Sequence, residues 1–362
     1  MKLKQKKIKK IIFSGGGTAG SVSPLLAVFD EIKREDKDGI KYKFLFIGTK
    51  KGPEKLMVEK EGIEFKFISN GKLRRYFSWQ NFIDPFKILI GFFQSIFIIL
   101  KFKPCLVMSA GGFVSVPLVW AAWILRTSIL IHQQDVRPGL ANKLMSPFAK
   151  VITVTFEKSL DDYGKKAVWT GNPIRLRLMQ SIEHRTQNMF DNNLPIVLVV
   201  GGGTGAGFLN QITNDIVEDL SEICNIILLT GKNKGEGVKC QMPNVKCFEF
   251  LNVSEMAEVL NKASLVVSRS GLGLSTELSY FKKPTIFIPM SDSHQEDNAQ
   301  IFKEKEAAIV LNEKTLTKEE FVNVLSGLIK NKELRDKLSE NIAGVIKRGA
   351  TEEIVKIIKQ II

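Results

Sequence analysis

Twice along this chain of 362 residues a short apolar run breaks into a glycine-rich turn and then into a helical pattern. The first instance is IIFSGGGTAG around Gly15; the second is IVLVVGGGTGAG around Gly201, 186 positions later. A strand that ends in glycines and re-emerges as a helix opens a βαβ unit, because a parallel neighbour can be reached only through a crossover. Each half continues in kind. KYKFLFIG, CLVMSAGGF, SILIHQQD and AKVITVTF read as strands in the first half, with PLLAVFDEIKRE and VPLVWAAWIL as helices between them. NIILLTG, VKCFEFL, ASLVVSRSG and PTIFIPM are the strands of the second. The pattern predicts an α/β chain of two tandem Rossmann-like doubly wound parallel-sheet domains, with a cleft between them at the carboxyl ends of the strands. The expected boundaries are 1–175 for the first domain, 176–193 for the linker, 194–346 for the second domain and 347–362 for a closing helix.

Hydrophobic content of 44% against 25% charged is enough to fill two such cores. The net charge of +14 is lopsided: residues 1–181 hold 31 Lys and Arg against 14 Asp and Glu, whereas the remainder carries a small acidic excess. A basic half calls for an anionic partner, nucleic acid or an anionic lipid surface. The basic opening MKLKQKKIKK is followed by only three apolar residues before SGGGTAG, which suits a strand and not a secretory leader, so the chain is expected in the cytoplasm. Cys105, Cys224, Cys240 and Cys247 show no C-x-x-C spacing and are expected to be separate buried thiols, neither a disulfide framework nor a zinc site.

One segment, FSWQNFIDPFKILIGFFQSIFIILKFKP, combines aromatic and basic residues. Its apolar core, Ile88 to Leu100, has 13 residues and is interrupted by Gly91, Gln94 and Ser95. A spanning helix needs about 20, so a helix with one face in the core is expected. Its other face, with Phe77, Trp79, Phe82, Ile83 and Phe86 and rimmed by Arg74, Arg75, Lys87, Lys101 and Lys103, would lie on a lipid surface.

Gly15 to Gly20 fits G-x-G-x-x-G, and Gly201 to Ala206 fits its G-x-G-x-x-A variant. Both follow a strand and open a helix, where backbone N–H groups can receive phosphate. A nicotinamide enzyme would place an acid at the end of its second strand, but that strand ends Phe46-Ile47-Gly48-Thr49-Lys50. Ser268-Arg-Ser-Gly-Leu-Gly-Leu-Ser-Thr-Glu277 follows another strand and starts a helix. Glu277 can accept both hydroxyls of a ribose there, with Arg269 and the helix N-terminus facing a pyrophosphate. Gln295 and Asn298, in Ser293-His-Gln-Glu-Asp-Asn-Ala299, offer polar contacts to a sugar. The pair Asp36 and Asp38 reads as solvated surface, not as a metal site.

Taken in order, GGGTAGSVSPLLA, SAGGFVSVP, HQQDVRPGLANK, TGNPIR, VVGGGTGA, EFL, RSGLGLSTE and HQEDNA resemble the MurG-type transferases over nearly the whole chain. That resemblance implies a GT-B fold, an inverting mechanism without metal or cofactor, and a last helix packed back on the first domain. It further implies transfer of N-acetylglucosamine from UDP-N-acetylglucosamine to undecaprenyl-pyrophosphoryl-N-acetylmuramyl-pentapeptide, lipid I to lipid II, on the cytoplasmic side of the cell membrane and without nucleic acid. Carried over by position, Thr18, Ala19 and Gly20 would lie near the donor sugar and acceptor diphosphate. Asp135 and Arg175 would contact the donor, Gly203 the nucleotide, and Leu251 the uracil through its backbone. Leu272, Gly273, Leu274, Ser275, Thr276 and Glu277 would hold ribose and pyrophosphate, and Gln295 the sugar hydroxyls.

The chain departs from the family at four of these places: Ser21 stands where His is usual, Gln133 for Glu, Asp135 for Asn and Phe113 for Tyr. A serine hydroxyl is no general base near pH 7, so Asp135 is nominated in its place. Of the three histidines, His132 reads as a core residue, and His184 falls in the polar linker; His294 opens the HQEDNA helix. Another lipid-acceptor UDP-sugar transferase and a non-catalytic UDP-sugar binder remain as alternatives.

Overall fold

The structure, a computed structural model, describes residues 8–35, 40–71, 80–175, 189–202, 206–235 and 237–362. The chain divides into two compact units, residues 1–175 with 347–362, and residues 176–346.

The first unit is built on seven strands: β1 (Ile8–Ser14), β2 (Lys41–Gly48), β3 (Glu64–Phe67), β4 (Leu106–Ser109), β5 (Ser128–Gln133), β6 (Val151–Val154) and β7 (Ala167–Trp169). Their order is β3-β2-β1-β4-β5-β6-β7, every pairing parallel. Between them run α1 (Ser23–Arg34), α2 (Glu54–Lys60), α3 (Gln80–Phe102), α4 (Ser115–Ile124) and the short α5 (Leu140–Met145). Strands sandwiched between helix layers must be apolar on both faces, and β1 shows how. Ile12 joins Leu45, Val107 and Ile131 under α3 and α4, while its neighbours Ile11 and Phe13 join Phe46, Leu106 and Met108 under α1. The alternation of the pleat distributes one apolar run between two cores.

The second unit repeats the scheme with β8 (Ile196–Val200), β9 (Asn225–Leu229), β10 (Val245–Phe248), β11 (Leu265–Ser268), β12 (Thr285–Phe287) and β13 (Ile309–Val310). The order is β10-β9-β8-β11-β12-β13, again all parallel. Its helices are α6 (Gly207–Ile216), α7 (Val253–Lys262), α8 (Leu272–Tyr280), α9 (His294–Glu304), α10 (Lys318–Lys330) and α11 (Lys332–Ala343). In both sheets the strand order reverses beside the first strand, between β1 and β4 and between β8 and β11. These are the switch points where a doubly wound sheet leaves a crevice for ligand.

The last helix, α12 (Ala350–Ile361), lies on the first unit. Ile354, Val355 and Ile358 enter the core shared with α1, and the Thr351 hydroxyl both accepts from the Ile174 N–H (3.2 Å) and donates to the Ile174 carbonyl (3.1 Å).

Two expectations are corrected here. Cys240 and Cys247 are joined by a disulfide across the turn into β10, leaving Cys105 and Cys224 as the free thiols; the six intervening residues fold back far enough to bring the sulfurs together, which spacing alone did not reveal. The apolar helix is also longer than its sequence suggested. Over Ile83–Phe102, 20 residues, α3 is long and apolar enough to cross a membrane by length and composition. Its polar interruptions are packing points that do not end the helix. The Ser95 hydroxyl donates to the Gly91 carbonyl (2.7 Å), and the Gln94 amide oxygen accepts from the Ser69 N–H (2.7 Å). A Cβ at Gly91 would stand 2.0 Å from the Ser69 carbonyl, so only glycine lets this face close on the unit. Asp84 is buried and paired with Lys87 at 3.1 Å. The opposite face exposes Ile83, Phe86, Leu89, Ile90, Phe93, Phe97 and Leu100, with Trp123 and Ile124 of α4 also exposed. Of the aromatic and basic rim expected before it, Arg74, Arg75, Phe77 and Trp79, and the side chain of Phe82, lie outside the described residues.

Removing the Ile354 side chain tests the place of α12. Ile354→Ala is expected to cost the first unit about 2–5 kcal/mol, read as a lowered urea midpoint for that unit; an unchanged midpoint would mean that α12 contributes nothing to its core.

Candidate active site

In the first unit the loops following β1, β4 and β5 are tied together. Thr18 leads from the glycine loop into a short turn, Ala19–Ser21, before α1 begins. Gly112, after β4, comes so close that a Cβ there would meet the Gly16 carbonyl at 2.9 Å, and its φ of +93° suits glycine. The Gln134 amide donates to the Ala110 carbonyl (3.3 Å), linking the β5 loop to the β4 loop. Beneath the glycine loop lies Glu54, fully buried at the start of α2. Its carboxylate accepts from the Thr49 N–H (2.7 Å), the Thr49 hydroxyl and, at 3.4 Å, the Gly17 N–H. The acid missing from the end of β2 therefore arrives from α2, turned toward the glycine loop itself.

The loop carrying Asp135 is held from inside. The Gln133 side chain, 2% exposed, donates to the Asp135 carbonyl (2.7 Å) and the Arg137 carbonyl (3.4 Å). Its oxygen accepts from Asn142 (2.6 Å) and the Tyr163 hydroxyl (2.9 Å). Ser159 donates to the Val136 carbonyl (3.1 Å). A glutamate at 133 would set an ionised acceptor against two carbonyls; the amide satisfies all four partners, which accounts for Gln at this position. Asp135 itself is partly buried. His132 is wholly buried, bonded to Thr153 (3.0 Å) and Asn172 (2.8 Å), and burial pushes its pKa down to about 4. It is a neutral core histidine. Ser21 is nearly buried, and its hydroxyl donates to the Thr18 carbonyl (3.3 Å).

Arg175, expected to contact the donor, has its guanidinium ion-paired with Asp30 of α1 (3.1 Å) and with Glu61 just after α2 (2.7 Å). The carboxylates come from separate elements, so the pairing could not be read from local sequence.

In the second unit Gly203 lies outside the described residues; Gly201 and Gly202 lead from β8 toward it. Across the switch point, Gly271 caps α8, which runs through Leu272, Gly273, Leu274, Ser275, Thr276 and Glu277. Ser275 is fully buried, and its hydroxyl has no partner among the described residues. The Glu277 carboxyl has no hydrogen bond or ion pair there either, and burial raises its pKa from the usual 4.5 to about 8. Leu251 is buried, and its backbone N–H and C=O take no part in the hydrogen bonding of the described residues. Gln295, in the first turn of α9, accepts from the Met290 N–H (3.0 Å) and through its carbonyl from the Ser270 hydroxyl (2.6 Å).

Arg269, expected to face a pyrophosphate, is 8% exposed, donates to the Ile288 carbonyl (2.8 Å) and pairs with Glu313. Its charge is already matched by a carboxylate from the loop after β13, a partner 44 residues away.

Residues 11–154 match the Glycosyltransferase family 28 N-terminal domain and residues 196–361 the Glycosyltransferase family 28 C-terminal domain. The chain belongs to glycosyltransferase family 28. Within this family it is of the MurG type. A UDP-N-acetylglucosamine--N-acetylmuramyl-(pentapeptide) pyrophosphoryl-undecaprenol N-acetylglucosamine transferase of Clostridium kluyveri is 38% identical, covering 98% of this chain and 99% of its own length. The protein of the same name from Clostridium tetani is 36% identical, with 97% and 98% covered. The crystal structure of Acinetobacter baumannii MurG shares the fold with a TM-score of 0.75 at 24% identity, over 97% of this chain and 99% of that one. The family 28 fold is thus the two-domain, Rossmann-like GT-B fold, as the strand pattern and the resemblance had implied.

Sequence reading passed over Glu54 and Glu313. Glu54 had a usable signal, an acid at the first turn of a helix six residues after a strand that ends at Gly48; Glu313 had none.

The Glu277 carboxyl generates a pH test. Between about pH 5 and 8 the folded unit keeps a proton that the unfolded chain loses, so stability falls as pH rises through that range and levels off above it. Glu277→Gln, which cannot ionise, is expected to gain stability relative to the parent progressively from pH 5 to 8 in urea titrations. A difference constant with pH would place the group in water.

Proposed function

We propose that this family 28 member transfers N-acetylglucosamine from UDP-N-acetylglucosamine to undecaprenyl-pyrophosphoryl-N-acetylmuramyl-pentapeptide, converting lipid I to lipid II in peptidoglycan synthesis. The observation that carries the reading is the near full-length identity with relatives named for this reaction, and the second unit has groups suited to the donor. The open backbone of Leu251 suits the edge of a uracil. Glu277, without a protein partner, suits the two ribose hydroxyls. The N-terminus of α8, with the unpartnered Ser275 hydroxyl, suits a diphosphate. Gln295 suits the hydroxyls of the sugar.

In an inverting transfer the acceptor hydroxyl attacks the anomeric carbon as UDP leaves from the opposite face, through an oxocarbenium-like transition state. Negative charge then grows on the diphosphate, and N–H groups already aimed at it stabilise that charge without reorganising. Thr18, Ala19 and Gly20 of the first unit serve the donor sugar and acceptor diphosphate. Asp135, on a loop locked by Gln133, takes the acceptor proton, a role that neither Ser21 nor buried His132 can fill.

The enzyme acts at the membrane, and the exposed apolar face of α3 is the surface by which it binds there, peripherally and from the cytoplasmic side. Seven large apolar side chains along one face of a helix otherwise packed on the unit, with Lys101 at its end, suit an anionic lipid surface.

Two measurements test this. UDP release from UDP-N-acetylglucosamine should require the lipid I acceptor, and Asp135→Asn should slow it by about 100-fold or more; activity kept within a few-fold removes Asp135 as the base, and no release with any lipid acceptor makes the chain a UDP-sugar binder. Phe86→Ser/Phe93→Ser/Phe97→Ser should lose co-sedimentation with anionic vesicles while turning over a short-chain soluble acceptor normally. Unchanged sedimentation would remove α3 from the membrane surface.

A further inference from the structure

We infer that Glu313 is a positioning residue for the donor site, acting through Arg269, and that Arg269 is a brace and not a phosphate clamp. The inference rests on the proposed binding of a uridine diphosphate sugar by the second unit. Three loops leave the carboxyl ends of β11, β12 and β13, and one partly buried ion pair joins all three. Arg269 follows β11 directly; its guanidinium donates to the Ile288 carbonyl, just past β12, at 2.8 Å, and pairs with Glu313, just past β13. The other oxygen of Glu313 accepts from the Ser291 N–H at 3.0 Å, closing the ring back onto the β12 loop.

What the ring holds is the pair of helix starts that face the donor. Ser270, next to Arg269, donates through its hydroxyl to the Gln295 carbonyl (2.6 Å), and its own carbonyl accepts from Asn298 (3.3 Å). The Met290 N–H, next to Ser291, donates to the Gln295 side chain (3.0 Å). Moving Glu313 therefore moves the β11 loop that launches α8 and the β12 loop that launches α9 together. The Arg269 guanidinium also lies 5.9 Å from the Phe208 ring in the first turn of α6. With two of its edges bonded to protein and only 8% of its surface exposed, it has little left to offer a diphosphate. A buried pair with one partner removed leaves an uncompensated charge, so the loops would shift to solvate it.

A brace and a clamp differ in what they discriminate. A clamp on the diphosphate serves UDP and not uridine, whereas a brace serves both, because uracil, ribose and diphosphate contacts ride on the same loops. The test measures UDP and uridine affinities by calorimetry or ligand-observed NMR on the full chain. Glu313→Gln and Arg269→Lys are each expected to weaken both ligands by the same factor, about tenfold for one lost charge-assisted bond. Glu313→Asp, which keeps the charge, is expected to recover part of the loss. Should Glu313→Gln fail to fold, the milder Glu313→Asp and Arg269→Lys carry the comparison. Loss of UDP affinity alone in Arg269→Lys would make Arg269 a clamp and overturn the inference, as would full affinity for both ligands in Glu313→Gln. A parent protein that binds neither UDP nor uridine would instead overturn the proposed function, a different failure from either of these.

Discussion

A parallel strand hands the chain on only at its carboxyl end, and every later feature of this molecule depends on that. Each of the two sheets is wholly parallel, so within a unit all the loops that follow strands gather at one end. Side chains separated by tens of residues become neighbours there without any local sequence cause: Glu54 under the β1 loop, Gln134 against the β4 loop, Glu313 against Arg269. The apolar strands decide where this end lies, and the polar residues only furnish it.

The two units furnish it in opposite ways. At the first switch point a buried carboxylate is turned on the glycine loop, and the Gly17 N–H already has an acceptor in Glu54. At the second, the residues around α8 are left wanting: Ser275 has a buried hydroxyl without a partner and Glu277 a carboxyl whose burial favours the neutral form. Unmet hydrogen-bonding capacity in a buried place costs stability unless something else satisfies it. The same topology thus yields a first loop with one amide held by a buried carboxylate and, among the described residues, a second site with polar groups left unmet.

This contrast also explains what could be read in advance. The strands, the glycine loops and the helices after them were legible because their causes are local: an apolar run, a turn, a 3.6-residue period. Asp135 and Glu277 could be nominated as candidates because each stands next to such a landmark. The ion pairs of Arg269 and Arg175 were not legible, for the complementary reason. A cation beside a glycine turn looks available for phosphate, and only the fold shows that Glu313, Asp30 and Glu61 reach it first. The disulfide between Cys240 and Cys247 belongs to the same class, its geometry set by a turn that the residue spacing does not announce.

The helix α3 shows the converse error, a local pattern taken too literally. Counting apolar residues from Ile88 to Leu100 gave too short a run, because the stretch begins at Ile83, before Asp84 and Lys87, and Gly91, Gln94 and Ser95 looked like interruptions. In the structure Gly91 and Ser95 are buried where the helix closes on the unit, and Gln94, itself exposed, reaches the Ser69 N–H. An apolar helix that turns Asp84, Gly91 and Ser95 inward and its large apolar residues outward has the reverse of the usual surface-helix arrangement. Water gives no reason for that inversion. A surface of hydrocarbon does, since the outward stripe then loses its contact with water while the inward polar groups keep their protein partners. Length and composition alone would allow α3 to cross a membrane; the inward bonds are what argue that it lies along one.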